Sequence, residues 1–236
     1  ERWFDVETSR SRCDEQLVIG RYSVLPYYRE LEEDLKNNGC QLINTYRQHE
    51  WIAEFGYYNE LNEYTPRTWF RWEDVPYNHN GPFVLKGRTN SRKYRWNDDM
   101  FAKDKATAIE IYHRLMDDYM IGTQGVIIRE YVPLRAFGKS ISGVPWANEW
   151  RFFLYKNHFL SAGYYWSSAD EEIVNRQRYM PHGAADLVKC VADTAKDFVN
   201  FYVLDVAEKE NGEWILIEMN DGQMSGLSEC NADELY

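Results

Sequence analysis

Asp205, Glu218 and Asn220 stand in a stretch, residues 203–220, whose other positions are mostly apolar or turn-forming. Asn211-Gly212 divides it into two strand-like halves, and this pair favours a type I′ hairpin turn because both residues accept φ > 0. Such a turn pairs residues whose numbers sum to 423, which sets Asp205 opposite Glu218. Asn220, two residues from Glu218, shares that face. Val203, Leu204, Val206, Ile215, Leu216 and Ile217 predict a largely buried hairpin, where water screens the repulsion between facing carboxylates poorly. A divalent cation resolves the conflict. Three hard oxygen donors with coordination positions to spare suit Mg²⁺, which keeps several waters and completes its shell with substrate phosphates. Neutralising either acid should then leave the metal-free fold intact or slightly more stable. The alternative, an exposed hairpin with solvated acids, suits Glu208, Lys209, Glu210 and Glu213 around the turn but not the three residues flanked by apolar neighbours.

A second feature has the opposite charge. No acid occurs between Asp74 and Asp98, yet Lys86, Arg88, Arg92, Lys93 and Arg95 all do, in a chain whose net charge is −11. The order is a strand, Lys86-Gly87, then a polar loop. Point charges beside a backbone that permits close approach are what a polyphosphate requires. A merely solvated basic loop is the alternative. Phe137-Gly138-Lys139-Ser140 matches the end of a P-loop only in part, with proline at 133, and reads as a loop.

These residues need elements to hold them. Strands are expected at Leu17–Gly20, Gln41–Thr45, Phe83–Lys86 and Gly125–Tyr131, and a hairpin from Glu149–Tyr155 with Phe159–Trp166. Helices are expected over Pro26–Asn38, around Trp51–Leu61, over 104–119 and over 186–199. The turn-rich connection Val75–Pro82 marks the boundary between an N-terminal α/β segment, residues 1–80, and the rest, 81–236. With 44% hydrophobic residues a real core is available, and no apolar run reaches the roughly 18–20 residues of a membrane-spanning helix. The negative charge argues against non-specific attraction to nucleic acid or anionic membrane. Cys13, Cys40, Cys190 and Cys230 are widely spaced and read as free thiols of a reducing compartment, which suggests the cytoplasm. A start at Glu1 rather than Met leads us to expect an upstream segment.

The order of the parts resembles the ATP-grasp superfamily. The matching pieces are Lys86 within Phe83-Val84-Leu85-Lys86-Gly87, then Ile127-Ile128-Arg129-Glu130-Tyr131-Val132, then Glu149-Trp150-Arg151-Phe152, and last the Asp205 … Glu218-x-Asn220 hairpin. The match covers roughly residues 81–227. Gly20-Arg21-Tyr22-Ser23, Tyr64-Thr65-Pro66 and Asn220-Asp221-Gly222-Gln223 are similar to a phage and bacterial clade named for two arginines and a lysine. The sequence departs from typical members in lacking a glycine-dense phosphate loop, its loop being Arg88–Arg95. The resemblance implies an α/β fold of α+β lobes: an N-terminal α/β pre-ATP-grasp domain at 1–80, and an ATP-grasp domain with a small lobe at about 82–131 and a large lobe at about 132–236. A phage origin would place it in the host cytoplasm.

The resemblance also implies ATP and Mg²⁺, and a ligase that activates a carboxylate as an acylphosphate for attack by an amine. In that scheme Lys86, Arg88, Arg92 and Lys93 hold phosphates, Glu130, Tyr131 and Val132 meet adenine, Asp205, Glu218 and Asn220 hold the metal, and Arg151 and Lys86 serve the transfer. Partners are then ATP, a carboxylate substrate and an amine acceptor, each a small molecule, peptide or protein. A kinase that stops at phosphoryl transfer, or an ATP-binding module without turnover, are the alternatives. A structural pair of Arg151 with Glu149, two residues away on the same face, is the alternative reading of that arginine. Arg129 alternates to the face opposite Glu130, and the histidines form no ligand pattern.

Overall fold

The computed structural model describes residues 17–20 and 27–235. Cys13, Pro26 and the Arg21-Tyr22-Ser23 stretch lie outside them. Near the N-terminus, β1 (Leu17–Val18) pairs in parallel with β2 (Gln41–Leu42), and α1 (Tyr28–Asn37) connects toward β2. Tyr28, Leu31 and Leu35 recur at helical spacing and bury against Cys40 and Leu42. Thr45 and Gln48 form a reciprocal capping box that starts α2 (Tyr46–Ala53). The helix expected through Leu61 is two helices, α2 and α3 (Tyr57–Leu61), because Phe55 turns the backbone to φ 60°. Phe55, Tyr57 and Leu61 then enter the large-lobe core.

Four antiparallel strands in the order β3-β6-β4-β5 make the small lobe: β3 (Thr68–Trp69), β4 (Phe83–Gly87), β5 (Phe101–Ala102) and β6 (Val126–Glu130). The sheet therefore takes in Thr68–Trp69, which precede the expected boundary at 80. One face is covered by α4 (Lys105–Met116), which buries Ala108, Ile111 and Leu115 against Phe83 and Leu85. The single helix expected over 104–119 ends at Met116, and Asp118 caps a separate α5 (Tyr119–Gln124) by accepting from the Met120 and Ile121 amides.

The large lobe opens with a hairpin, β7 (Ala136–Lys139) and β8 (Pro145–Ala147), where the sequence suggested only a loop. A second antiparallel sheet runs β10-β9-β11-β12: β9 (Glu149–Tyr155), β10 (His158–Tyr164), β11 (Phe201–Glu208) and β12 (Trp214–Asp221). Between its two hairpins come α6 (Glu171–Arg176) and α7 (His182–Ala195), and α8 (Ala232–Leu235) lies near the end. Trp150, Phe152, Tyr202, Leu204, Val206 and Leu216 share a core with Val188, Val191 and Ala195 of α7, so that helix covers one face of the sheet. The alternate residues Arg151, Asp205 and Glu218 face the other way.

The β11–β12 turn differs from the expected type I′. Gly212, at φ +87°, occupies the left-handed region, while Asn211 does not. Its amide donates to the Lys209 carbonyl at 2.9 Å, so a type I turn is followed by a left-handed glycine in a three-residue loop. Near the turn the partners sum to 422, as in Val206 with Leu216. The register then shifts at Ile217, and Asp205 lies opposite Glu218 as expected. This extra residue also reverses side-chain parity. Leu216 stays in the core while Glu218, two residues on, joins the opposite face.

Cys190 and Cys230 carry free thiols, but Cys40 is disulfide-bonded, which corrects the expectation of free cysteines throughout. No helix among the described residues is long and apolar enough to cross a membrane.

Candidate active site

Three strands of the large lobe carry Arg151, Asp205, Glu218 and Asn220 onto one face, because Asp205 is paired with Arg151 on one side and Glu218 on the other. Arg151 donates from Nε and Nη2 to the two Asp205 oxygens, each at 2.8 Å, in a bidentate fork. Its Nη1 donates to the Gly226 carbonyl at 2.7 Å, and its guanidinium lies 4.7 Å from the Tyr165 ring centre. Burial opposes the charge on Arg151, but the Asp205 carboxylate outweighs it and raises the pKa. The suggested structural pair with Glu149 is therefore not formed. Gly163, opposite Arg151, leaves room for the chain carrying Gly226 to cross the sheet: a Cβ there would stand 2.1 Å from the Glu229 carbonyl carbon.

Across the cleft, β4 presents Lys86, whose Nζ donates to Glu218. Both are largely buried, with side-chain exposures of 8% and 16%. Burial draws the Lys86 pKa down despite Glu218, while Glu218 is held below the ordinary carboxylate range because Lys86, Lys93 and Arg129 outweigh its own burial. The two facing carboxylates are thus relieved by the protein's own cations: Arg151 for Asp205, Lys86 for Glu218. The expectation that neutralising either acid spares or stabilises the metal-free fold is corrected accordingly, since each change would orphan a buried cation.

The basic loop divides its residues between two tasks. Lys93 enters the cleft, donates to the Tyr165 hydroxyl and lies 4.1 Å from that ring centre and 5.0 Å from that of Trp166. Arg92 instead turns back to Asp99, at 3.0 Å, and to Asp118. Arg88 pairs with Glu54 and lies 5.8 Å from the Phe70 ring centre. These acids neutralise most of the island, so the loop gives the cleft one cation rather than three.

Lys86, Lys93, Arg129, Glu130, Tyr131, Val132, Glu149 and Glu218 all line one slot between the lobes, with Trp96, Met100, Val144 and Trp166 as apolar walls. It encloses about 120 Å³. Arg129, which alternation set apart from Glu130, borders the same slot. Its Nε donates to Thr68 at 3.1 Å, its Nη2 to Thr65 at 2.6 Å, and its Nη1 to the carbonyl of the bulged Ile217. The Thr65 hydroxyl in turn donates to the Leu216 carbonyl at 2.8 Å, so Tyr64-Thr65-Pro66 secures the edge of β12. Glu149 is 3% exposed. Burial pushes its carboxyl up to about 7 although Lys93 opposes the shift. Its neighbours at Arg151 made it look like a partner; only the three-dimensional cleft exposes it as a site residue.

Asp205, Glu218 and the Asn220 amide are adjacent, with Asn220 Nδ2 at 3.4 Å from Asp205 Oδ2. Two carboxylates and an amide carbonyl fit a hard cation that takes its other ligands from water or phosphate. Among the described residues no three His, Cys, Asp or Glu side chains form a metal cluster, so the protein alone does not complete such a shell. Beyond Asn220, Asp221 accepts from His49 Nδ1 at 3.0 Å and from Asn44 at 3.0 Å, which ties the end of β12 to the N-terminal elements. His49, one of the histidines that form no ligand pattern in the sequence, is 4% exposed.

Solved structures of ATP-grasp proteins share this fold. A RimK-domain ATP-grasp protein from Sphaerobacter thermophilus aligns at TM-score 0.52 and 14% identity over 87% of this chain and 72% of its own. D-alanine–D-alanine ligase from Bacillus anthracis, complexed with ATP, aligns at TM-score 0.53 and 12% identity over 85% and 64%. L-amino acid ligase from Bacillus licheniformis aligns at TM-score 0.52 and 12% identity over 84% of this chain but 46% of its own. At such identities the likeness establishes the fold. Residues 76–236 match the family described as "ATP-grasp domain, R2K clade family 3", and the chain belongs to that family. No protein of curated function matches the sequence.

Proposed function

We propose that the chain is an ATP-dependent carboxylate–amine ligase. One observation carries this: Lys86 and Lys93 from the small lobe meet Glu218 across a single slot, and on the large-lobe sheet Glu218 stands beside Asp205 and Asn220. Cations on one wall and a hard oxygen donor on the other suit the phosphates of a nucleotide together with Mg²⁺. Bound Mg-ATP supplies a phosphoryl group that converts a carboxylate into an acylphosphate, which an amine then attacks with release of phosphate.

The chain's own residues then have distinct tasks. Glu130 would accept from the adenine amino group, and the Tyr131 and Val132 backbone would contact the ring. Lys86, which holds Glu218 here, would pair with the phosphates when the nucleotide is bound, and Glu218 would then be one of the residues that hold the metal. Arg151 keeps the Asp205 carboxylate oriented, and Asp205 would hold the metal together with Glu218 and Asn220. Lys93, held beside Tyr165 and Trp166, would offset charge on the transferred group. Catalysis of this kind rests on positioning and electrostatics and needs no covalent nucleophile. A slot of about 120 Å³ is below the roughly 300–1,000 Å³ of most ligand sites, so the lobes part to admit the nucleotide.

The test is incubation with Mg-ATP and pools of acids and amines, read by phosphate release and product mass. ADP with a mass gain equal to condensation supports the ligase. A gain of one phosphoryl group indicates a kinase, and no ATP consumption with any pool overturns both.

A further inference from the structure

A second cavity of about 870 Å³ adjoins the slot and shares Lys93, Val144 and Trp166 with it. It is far roomier than the slot and lies within the usual range for binding sites. The β7–β8 hairpin, which the ligase reading leaves without a task, forms one side with Lys139, Ser140, Ile141, Ser142 and Trp146. Tyr94, Tyr165 and Trp166 provide further aromatic walls.

Two properties define an occupant. Lys93 and Lys139 face a single acid, Asp170, which gives the cavity a positive balance in a chain of net charge −11. Its rim also carries large side chains with no protein cover, Ile141 at 109% and Tyr94 at 71% exposure. Apolar groups held in water beside an aromatic pocket suit a ligand with bulky side chains. Serine hydroxyls at Ser140, Ser142 and Ser168 add donors and acceptors for a peptide backbone.

We infer that this cavity, with the hairpin as its outer wall, binds the carboxylate substrate as a short peptide segment. A large apolar or aromatic side chain packs against Tyr94, Ile141 and Trp146, and the carboxylate reaches Lys93, where the cavity meets the slot. This rests on the ligase reading and narrows its substrate class. No further chemical step is involved: the carboxylate that Lys93 holds would be the one that, in the ligase reading, forms the bond to the terminal phosphorus as the β,γ P–O bond breaks and ADP leaves.

The test is calorimetric titration of the full chain with Ala-Phe-Ala and Ala-Ser-Ala, each as free acid and as C-terminal amide, and separately with a non-hydrolysable ATP analogue. The free acid of Ala-Phe-Ala should bind tighter than Ala-Ser-Ala, and tighter than its own amide by about tenfold or more, the usual effect of one charge-assisted contact. Lys139→Glu and Ile141→Asp, both at exposed positions, should weaken that binding and leave the melting temperature unchanged. Absence of peptide binding, equal binding of acid and amide, or indifference to both substitutions overturns the inference. Peptide binding that persists where the ATP analogue fails to bind would sink the ligase reading and leave the peptide site standing.

Discussion

Glu218→Gln separates the structure's account of the hairpin from the one its sequence pattern suggests. Two facing carboxylates without partners would be relieved by the change, and the protein would melt no lower. In the structure Glu218 instead holds the buried Lys86 ammonium, and an amide cannot neutralise it. Removing one partner of a buried pair costs about 3–5 kcal/mol; because Glu218 keeps 16% side-chain exposure to water, the low end, about 3 kcal/mol, applies here. For a chain of this size that corresponds to a fall of roughly 6–12 °C in Tm. The assay is thermal unfolding in EDTA, so that no metal contributes. Lys86→Met combined with Glu218→Gln should recover most of the loss, since the double change removes both charges. Unfolding of Glu218→Gln at or above the parent temperature would refute the ion-pair account and restore that of bare, repelling carboxylates.

Glu149→Gln gives a pH-dependent signature. The carboxyl's folded pKa of about 7 lies above its ordinary value of 4.5, so its contribution to stability is complete below pH 4.5 and lost as pH rises through 7. The variant should therefore melt higher than the parent at pH 8, by up to about 3 kcal/mol of stability, and no higher at pH 4.5; equal melting at pH 8 would show that Glu149 is not a strained buried acid. Gly163→Ala forces a methyl group against the backbone at Glu229, and should cost about 1–3 kcal/mol in a urea or thermal transition. Parent-like stability there would mean that the C-terminal crossing over the sheet is looser than described.

Much of the fold is legible because apolar period and turn chemistry agree along the chain. Tyr28, Leu31 and Leu35 mark α1, and the paired apolar runs around Asp205 and Glu218 mark a buried hairpin. Its turn type was not legible: Asn-Gly permits the type I′ form without requiring it, and the bulge at Ile217 depends on contacts from Arg129 and Thr65 that are far away in sequence. For the same reason, spacing located the charged residues but not their partners. Glu149 is nearest Arg151 in sequence, yet register gives Arg151 to Asp205. Arg92 belongs to a basic run, yet Asp99 and Asp118 claim it once the small lobe forms. Short helices broke at Phe55 and before Asp118, where a left-handed residue or a cap overrides a continuous apolar pattern.

The central claim, that Mg-ATP is held between Lys86 and the Asp205–Glu218–Asn220 edge, is tested most directly by calorimetric titration of the parent chain and Lys86→Ala with a non-hydrolysable ATP analogue, with and without Mg²⁺. The parent should bind, more tightly with Mg²⁺ present. Loss of the Lys86 ammonium should remove about 1.5–3 kcal/mol, a ten- to hundredfold weakening. Failure of the parent to bind the nucleotide under either condition, or undiminished binding by Lys86→Ala, would contradict it.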